Sequence, residues 1–555
     1  MSNQRGSSVE PRGGIDPVST SRAVLDPAHV GDITGALGTI RLGSGPPRSL
    51  RQRLLVLLAV IGPGIIVMVG DNDAGGVATY AQAGQNYGTS LLWELLLLIP
   101  VLIVNQEMVV RLGAVTGMGH GKMIFERFGK WWGIFAVGDL FLLNFLTLVT
   151  EFIGVSLALE YFGLSPYISV PLAGLALIIV TASGSFRRWE RVLFVFVAAN
   201  FLVIPLVVIS HPQIGPVLHD FVVPGIQGGL TGDSILLVIA IVGTTVAPWQ
   251  LFFQQSNIVD KRITPRWISY ERADTVLGSV ITVIGAAALV VTCAATFGGS
   301  ADFGHFTDAG QTGQSLSRAL GKPAGAMFAI VLLNASLIGA SAVALATSYA
   351  AGDTFGVRHS LHWNFREARA FYASFAALVV GAAAIVLIPH APLGLITTAV
   401  QALAGLLLPS ASVFLLLLCN DRAVLGPWVN PAWLNAIAAV IITVLLTLSG
   451  ILTVTTLFPG VDVKSLAAVM AALVLAALLS LGAFLAVRGR GHRPDRTAAR
   501  RQRQQGWTMP PVALLDRPIW SPLRRFGMSA LRAYLVIAAL LLVVKSIQLA
   551  AGAHS

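Results

Sequence analysis

The chain has 555 residues, of which 55% are hydrophobic and only 11% charged, with a mean hydropathy of +0.76. A soluble domain carries about 25% charged residues, so this composition excludes a soluble enzyme or binding module and places the chain in a membrane. The formal net charge of +11 has a simpler source in membrane topology than in nucleic-acid binding, and Cys293 and Cys419, both inside apolar segments, make neither a disulfide scaffold nor a cysteine metal site.

Residues 1–52 are rich in Gly, Ser, Pro and Arg and have no apolar h-region, so they read as a disordered cytoplasmic tail without a cleaved signal peptide. A hydrocarbon layer of ~30 Å takes about 20 helical residues to cross. By that length twelve segments follow, at 54–86, 88–112, 133–162, 166–184, 191–210, 234–257, 275–298, 325–350, 370–389, 393–419, 431–456 and 465–487. A thirteenth, 529–550, carries Arg532 and Lys545 near its ends and either spans or lies in the interface. The expected units are a membrane core over 53–456, helix 12 over 457–487, a basic cytoplasmic linker over 488–527 and an additional membrane segment over 528–555.

The loops test this count. Arg111, Lys122, Arg127 and Lys130 follow the second segment, Arg187, Arg188 and Arg191 the fourth, Lys261, Arg262, Arg266 and Arg272 the sixth, and Arg358, Arg366 and Arg369 the eighth. The alternate loops hold few positive residues, so the positive-inside rule places the N-terminus in the cytoplasm. The Arg-rich stretch from Arg488 to Arg503 then lies inside as well and touches anionic lipid.

The first segment is interrupted at Gly62-Pro63-Gly64-Ile65-Ile66-Val67-Met68-Val69-Gly70-Asp71-Asn72-Asp73-Ala74-Gly75-Gly76. A charge at the bilayer centre costs roughly 2.5–3.5 kcal/mol, so it sits there facing a cavity, a partner or an ion. The glycines weaken the helix at the same place, which frees carbonyls beside the two carboxylates. The sixth segment is interrupted at Gly243-Thr244-Thr245-Val246-Ala247-Pro248-Trp249-Gln250, where Pro248 removes the donor that would meet the Thr244 carbonyl. Paired breaks five segments apart predict an inverted repeat of five plus five helices, about 53–211 and 233–419, with the substrate at the interface. The C-terminal ends of the leading half-helices are partly negative and Asp73 adds a full charge, so the site predicted is for a cation.

Each residue has a plainer reading. Asp73 could be only an N-cap, but a cap needs no charge at membrane depth. Asp71, two residues earlier, is a ligand, a water-holder or a cap. Asn72 favours turns and reads as structural. Gln401 is a ligand or an interhelical tie, which Ala402, Ala404 and Gly405 would permit. Gln250 is open between the same two roles. Glu151 reads as a buried acid paired inside the bundle or a group on the pathway. Glu94 is expected in an outer vestibule, and Glu107 should pair with Arg111 four residues on.

These residues resemble the Nramp family of divalent-metal transporters. Gly62-Pro63-Gly64 and Asp73-Ala74-Gly75-Gly76 look like its GPG and DPGN signatures, and Gly243 to Gln250 is similar to its sixth-helix motif ending in MPHN. Arg111-Leu112-Gly113-Ala114-Val115-Thr116-Gly117 looks like RLGVVTG, Glu151-Phe152-Ile153-Gly154 like EVIG, and Gln401 falls eight residues before Pro409 where the tenth helix carries its Gln. The resemblance covers about Leu54 to Asn420. It implies an all-α membrane protein of the LeuT type, with broken helices 1 and 6 and about twelve membrane helices plus the C-terminal segment.

It also implies Asp73, Asp71, Thr244, Gln401 and Gly70 as metal ligands, with Gln250, Glu151, Gly76, Ala247 and Asn72 around them. The family's Asn becomes Gly76 and its Met becomes Ala247, so an all-oxygen site with more room is expected, suited to a hydrated Mg²⁺. That pattern looks like the Nramp-related magnesium transporters. The sixth-helix His is Trp249 here and the third-helix Asp is Leu148, so uncoupled, downhill transport of Mg²⁺, with Mn²⁺ as a further substrate, is expected. A proton-coupled Mn²⁺/Fe²⁺ symporter is the alternative. An amino-acid or organic-cation carrier is the other-class reading, and Asp73 would repel a substrate carboxylate. No nucleophile–base pair, HExxH motif or phosphate loop argues for an enzyme, and no cofactor is implied beyond the transported ion. The partners implied are that ion and the bilayer, the plasma (inner) membrane of a bacterium.

Overall fold

The structure, a computed structural model, describes residues 26–45, 47–389, 392–458 and 461–488, with scattered positions between 504 and 540. The first expected segment is three pieces, α1 (Leu50–Val60), α2 (Pro63–Gly70) and α3 (Ala74–Tyr87). Then come α4 (Leu92–Thr116), a short α5 (His120–Phe128), α6 (Lys130–Tyr161), α7 (Pro166–Thr181) and a fifth segment split into α8 (Phe186–Asn200) and α9 (Val203–Ile209). After α10 (Ile214–Val222), the second half runs through α11 (Gly232–Thr245) and α12 (Pro248–Asp260), α13 (Ile268–Phe297), α14 (Ala309–Leu320), α15 (Lys322–Phe355), α16 (Arg369–Val386) and α17 (Leu393–Cys419). A short α18 (Arg422–Leu425), α19 (Ala432–Leu457) and α20 (Val463–Arg488) follow.

Each of the twelve expected segments holds a helix or helix pieces. Among the described residues nine spans, and α1–α2 as a bent pair, are long and apolar enough to cross a membrane. The thirteenth expected segment lies for the most part outside the described residues.

Helix 1 bends by 49° between α1 and α2. Gly62 takes φ +150°, and Pro63, which lacks an N–H, starts α2. The carboxylate of Asp274 on α13 then accepts from the N–H groups of Gly62 (2.9 Å), Gly64 (2.7 Å) and Ile65 (3.3 Å), which satisfies the start of α2. A Cβ on Gly64 would stand 2.7 Å from the Thr275 nitrogen. The Gly-Pro-Gly motif is therefore explained by a half-helix pressed onto the backbone of α13.

Helices meet through equally close contacts both between the two halves and within the second half. In lipid, helices associate by tight packing rather than by hydrophobic burial, so small residues collect at their interfaces. α6 lies along α15 and α11 along α17. A Cβ on Gly243 of α11 would fall 2.2 Å from the Gln401 carbonyl on α17. The α11–α17 seam, within the second half, is thus a backbone-to-backbone contact.

The N-terminal tail differs from expectation, since residues 26–45 are folded. Pro27–His29 forms a 3₁₀ turn, and β1 (Ile33–Thr34) pairs antiparallel with β2 (Thr39–Ile40), making a strap. Asp26 accepts from Ala28 N (2.9 Å), His359 N (2.9 Å) and Trp363 Nε1 (2.8 Å). Arg262 donates to the Ala28 (2.7 Å) and Asp32 (3.0 Å) carbonyls, and Arg191 to that of Ala36 (3.1 Å). Ala28, Ile33, Ala36 and Ile40 are buried. Composition read this stretch as a tail because the partners of its backbone are Arg and Glu side chains far along the chain.

Candidate functional site

At the first break Asp71, Asn72 and Asp73 separate α2 from α3. The Ala74 N–H donates to Glu151 Oε2 of α6 (3.1 Å) instead of to the Gly70 carbonyl four residues back, so that carbonyl lacks its helical donor. Asp73 caps α3, its Oδ1 accepting from Gly76 N (2.7 Å), with the Thr244 hydroxyl 3.5 Å from the same oxygen. Asp71 is fully buried and neither of its carboxylate oxygens accepts a hydrogen bond among the described residues. Buried acids without partners are costly unless charge of opposite sign arrives.

At the second break α11 ends at Thr245 and Pro248 starts α12, with Val246 and Ala247 between them. The Thr244 carbonyl has no donor at Pro248. The interruption is shorter than that in helix 1, and α11–α12 still reads as one span from Gly232 to Asp260. Gln250 bridges it, donating to the Thr245 carbonyl (3.3 Å) and accepting from Gln106 (3.3 Å). Ala247 puts a buried methyl where a longer side chain could enter. The Met68 sulfur accepts from Ser279 of α13 (3.3 Å), away from the carboxylates.

Asp71, Asp73, Gly70, Thr244, Gly76, Glu151, Ala247 and Gln250 thus collect around the two breaks. Gln401 is buried on α17, its amide packed where a Cβ on Gly75 would stand (1.7 Å), and its nitrogen has no partner among the described residues. Asn72 turns to α13, donating to the Thr282 carbonyl (3.0 Å), and lines a cavity of about 180 Å³ with Val197, Asn200 and Ile281. It anchors the hinge. Gly76 does not leave the expected room, because a Cβ there would stand 2.8 Å from the Asp71 carbonyl oxygen.

Sequence reasoning missed Tyr80, whose hydroxyl meets Thr245 Oγ1 at 2.7 Å and ties α3 to α11 above the site. Its spacing of seven residues from Asp73, two turns on the same helix face, was the available signal. Gln106 was also missed. Glu94, expected in a vestibule, is buried with both carboxylate oxygens unpartnered among the described residues. Glu107 pairs with Arg111 as expected (3.2 Å). Among the described residues no three His, Cys, Asp or Glu side chains come close enough to hold one ion by themselves. Any cation here relies on carbonyls, amides and water as well as Asp.

A family profile described as "Natural resistance-associated macrophage protein-like" (Nramp) matches residues 64–455. The chain belongs to the Nramp family. Nramp proteins are transporters, so this chain is a multi-pass membrane transporter and not an enzyme. It is 29% identical over 301 residues to the divalent metal cation transporter MntH of Erwinia tasmaniensis, covering 52% of this chain and 71% of that one. The MntH of Staphylococcus aureus is 26% identical over 423 residues, covering 72% and 91%. Among solved structures, a crystal structure of the Eremococcus coleocola manganese transporter superposes with a TM-score of 0.60 at 18% identity, over 80% of this chain and 96% of that chain. The Nramp profile begins inside Gly62-Pro63-Gly64 and spans both breaks, which ties the family assignment to the elements that carry the site.

Proposed function

We propose that this Nramp protein moves a divalent metal cation across the membrane by alternating access around Asp73, with Mg²⁺ as the principal ion, Mn²⁺ as a further substrate, and no proton coupling. The single observation that carries the ion class is the donor set: Asp71 and Asp73 carboxylates and the Gly70 and Thr244 carbonyls, with a methyl at Ala247 and no sulfur. Hard oxygen donors suit Mg²⁺, which keeps several of its waters and binds through one or two carboxylates. Thioethers favour softer transition metals, and Met68, the sulfur nearest in sequence to the break, is turned to Ser279. The named relatives, divalent metal cation and manganese transporters, support the charge class. The bacterial inner membrane, with the N-terminus inside, fits the distribution of Lys and Arg over the loops.

One observation favours a proton-coupled second reading. Glu151 sits against Asp73 at the start of α3, so the cation site includes a carboxylate that a proton could share. Proteoliposomes loaded with a pH dye separate the two. Mg²⁺ flux without internal acidification is the expected result, and acidification that scales with metal entry would establish the coupled reading instead.

A further inference from the structure

A second group of buried acids lies toward the N-terminal face. Gln250, Gln254, Asn257 and Lys261 succeed one another along one stripe of α12 at helical spacing, and each is at most 1% exposed. The stripe runs from the helix 6 break to the strap, a length of about 16 Å. Gln254 donates to Thr275 Oγ1 of α13 (3.0 Å), one turn from Glu271. Glu271 is fully buried, and Gln254 approaches it without closing a hydrogen bond, so neither of its oxygens is satisfied among the described residues. Both side-chain polar atoms of Asn257 are likewise unpartnered and fully buried.

The other charged members are committed. Lys261 Nζ pairs with Glu190 Oε1 (2.6 Å) and donates to the Ile61 carbonyl (2.8 Å). The second oxygen of Glu190 receives Ala36 N of the strap, and Asp274 caps α2. Three buried carboxylates, Glu190, Glu271 and Asp274, therefore face one ammonium, with Glu271 alone lacking a partner. Arg187 also acts on Glu190, so two cations stand against three carboxylates, and the buried negative charge left over, on the unpartnered Glu271, is strongly unfavourable. A purely structural cluster would pair its charges and satisfy its amides, as Glu190 and Lys261 do.

We propose that Glu271, with the carbonyl oxygens of Gln254 and Asn257, is a second cation station that takes one partly hydrated divalent ion between the Asp73 site and the N-terminal face. A cation offsets the unpartnered Glu271 charge, and carboxylate plus amide oxygen is a donor set for a hard ion that keeps water. The proposal rests on the transport reading above and adds a place where the ion pauses before the strap.

Calorimetric titration of Mg²⁺, and separately of Mn²⁺, into the purified full chain in nanodiscs tests it. The wild type should bind two ions, Glu271→Gln and Asp73→Asn one each, and the double variant none. Asn257→Ala should weaken the inner site about tenfold, or about 1.4 kcal/mol. Two ions bound by a Glu271→Gln protein of wild-type melting temperature would overturn the station, as would a single wild-type ion that Glu271→Gln retains. If Glu271→Gln does not fold, an unchanged inner affinity in Asn257→Ala overturns it equally. An Asp73→Asn protein that keeps two ions, one of them lost with Glu271→Gln, would refute the Asp73 site while leaving the station standing. Protons in place of the ion would show as an unchanged ion count in Glu271→Gln with altered proton release, which also overturns the proposal.

Discussion

Asp73 carries two roles that a single substitution can separate. Its Oδ1 caps α3 through Gly76 N, and in the proposed transport its charge would hold the cation. Alanine removes both, with about 1 kcal/mol lost from the cap alone. Asparagine keeps an acceptor for the cap and removes the charge. Asp73→Asn is therefore expected to retain the wild-type melting temperature and to lose Mg²⁺ flux in proteoliposomes, and sustained flux would refute the site. Ala247 sets the softness of the donor set, since its methyl lies buried at the start of α12. Ala247→Met adds a thioether there and is expected to move the Mn²⁺/Mg²⁺ affinity ratio about tenfold toward Mn²⁺, near 1.4 kcal/mol. Competition titration reads this ratio, and no movement counts against the hard-site argument.

At the scale of elements, the strap ties the N-terminal residues to the ends of α8 and α12 and to the loop after α15. His29 lies inside it with neither ring nitrogen hydrogen-bonded among the described residues, its ring edge-on to His359 at 5.2 Å. The groups facing it are Asp260 of α12 (3.8 Å), Asp353 of α15, His359 of the following loop and Asp26 of the strap itself. Burial holds its pKa below the usual 6.5, outweighing the pull of Asp260. Burial also pulls His359 down, but Asp353 at 2.9 Å lifts it to about 9, so its charge stays constant near neutrality. A lowered histidine pKa means that the released strap binds the proton more readily than the docked one. Docking is therefore at full strength above about pH 6.5 and weakens as the pH falls below it, by at most about 1.4 kcal/mol per pH unit. Cys293 and Cys419 are buried, so a cysteine placed at Ala36 reports strap release. Its labelling rate, divided by that of an exposed cysteine at the same pH to remove the fall in thiolate, should rise between pH 7.5 and 5.5 and stay flat in a His29→Ala background.

For the whole molecule, the proposed orientation, with the strap on the cytoplasmic face, rests on the positive residues of the alternate loops. A cysteine at Ser300, exposed beyond α13, is expected to react with an impermeant reagent from outside, and one at Ala36 only in inverted vesicles. The reverse pattern would invert the direction assigned to the inner cation station.

The membrane class, the twelve segments and both breaks were legible in the chain because hydropathy over about 20 residues, Gly and Pro act locally on the backbone. Asp73, Thr244 and Gly70 could be picked out for the same reason, since a charge or a missing donor inside an apolar run is visible without any partner. Where those groups point was not. Asn72 turns to Thr282, Glu151 holds the start of α3, and Gly76 lies against the Asp71 carbonyl, each through a contact with a distant residue or a folded-back backbone. The Gly-rich start of the chain folds because Arg187, Glu190, Arg191 and Arg262 wait for its backbone. The sequence by itself determined that two apolar helices break, the first of them beside two carboxylates. Only the tertiary structure decided which acids keep a partner and which are left without one among the described residues, because hydrogen bonds to groups hundreds of residues away leave no trace in local spacing.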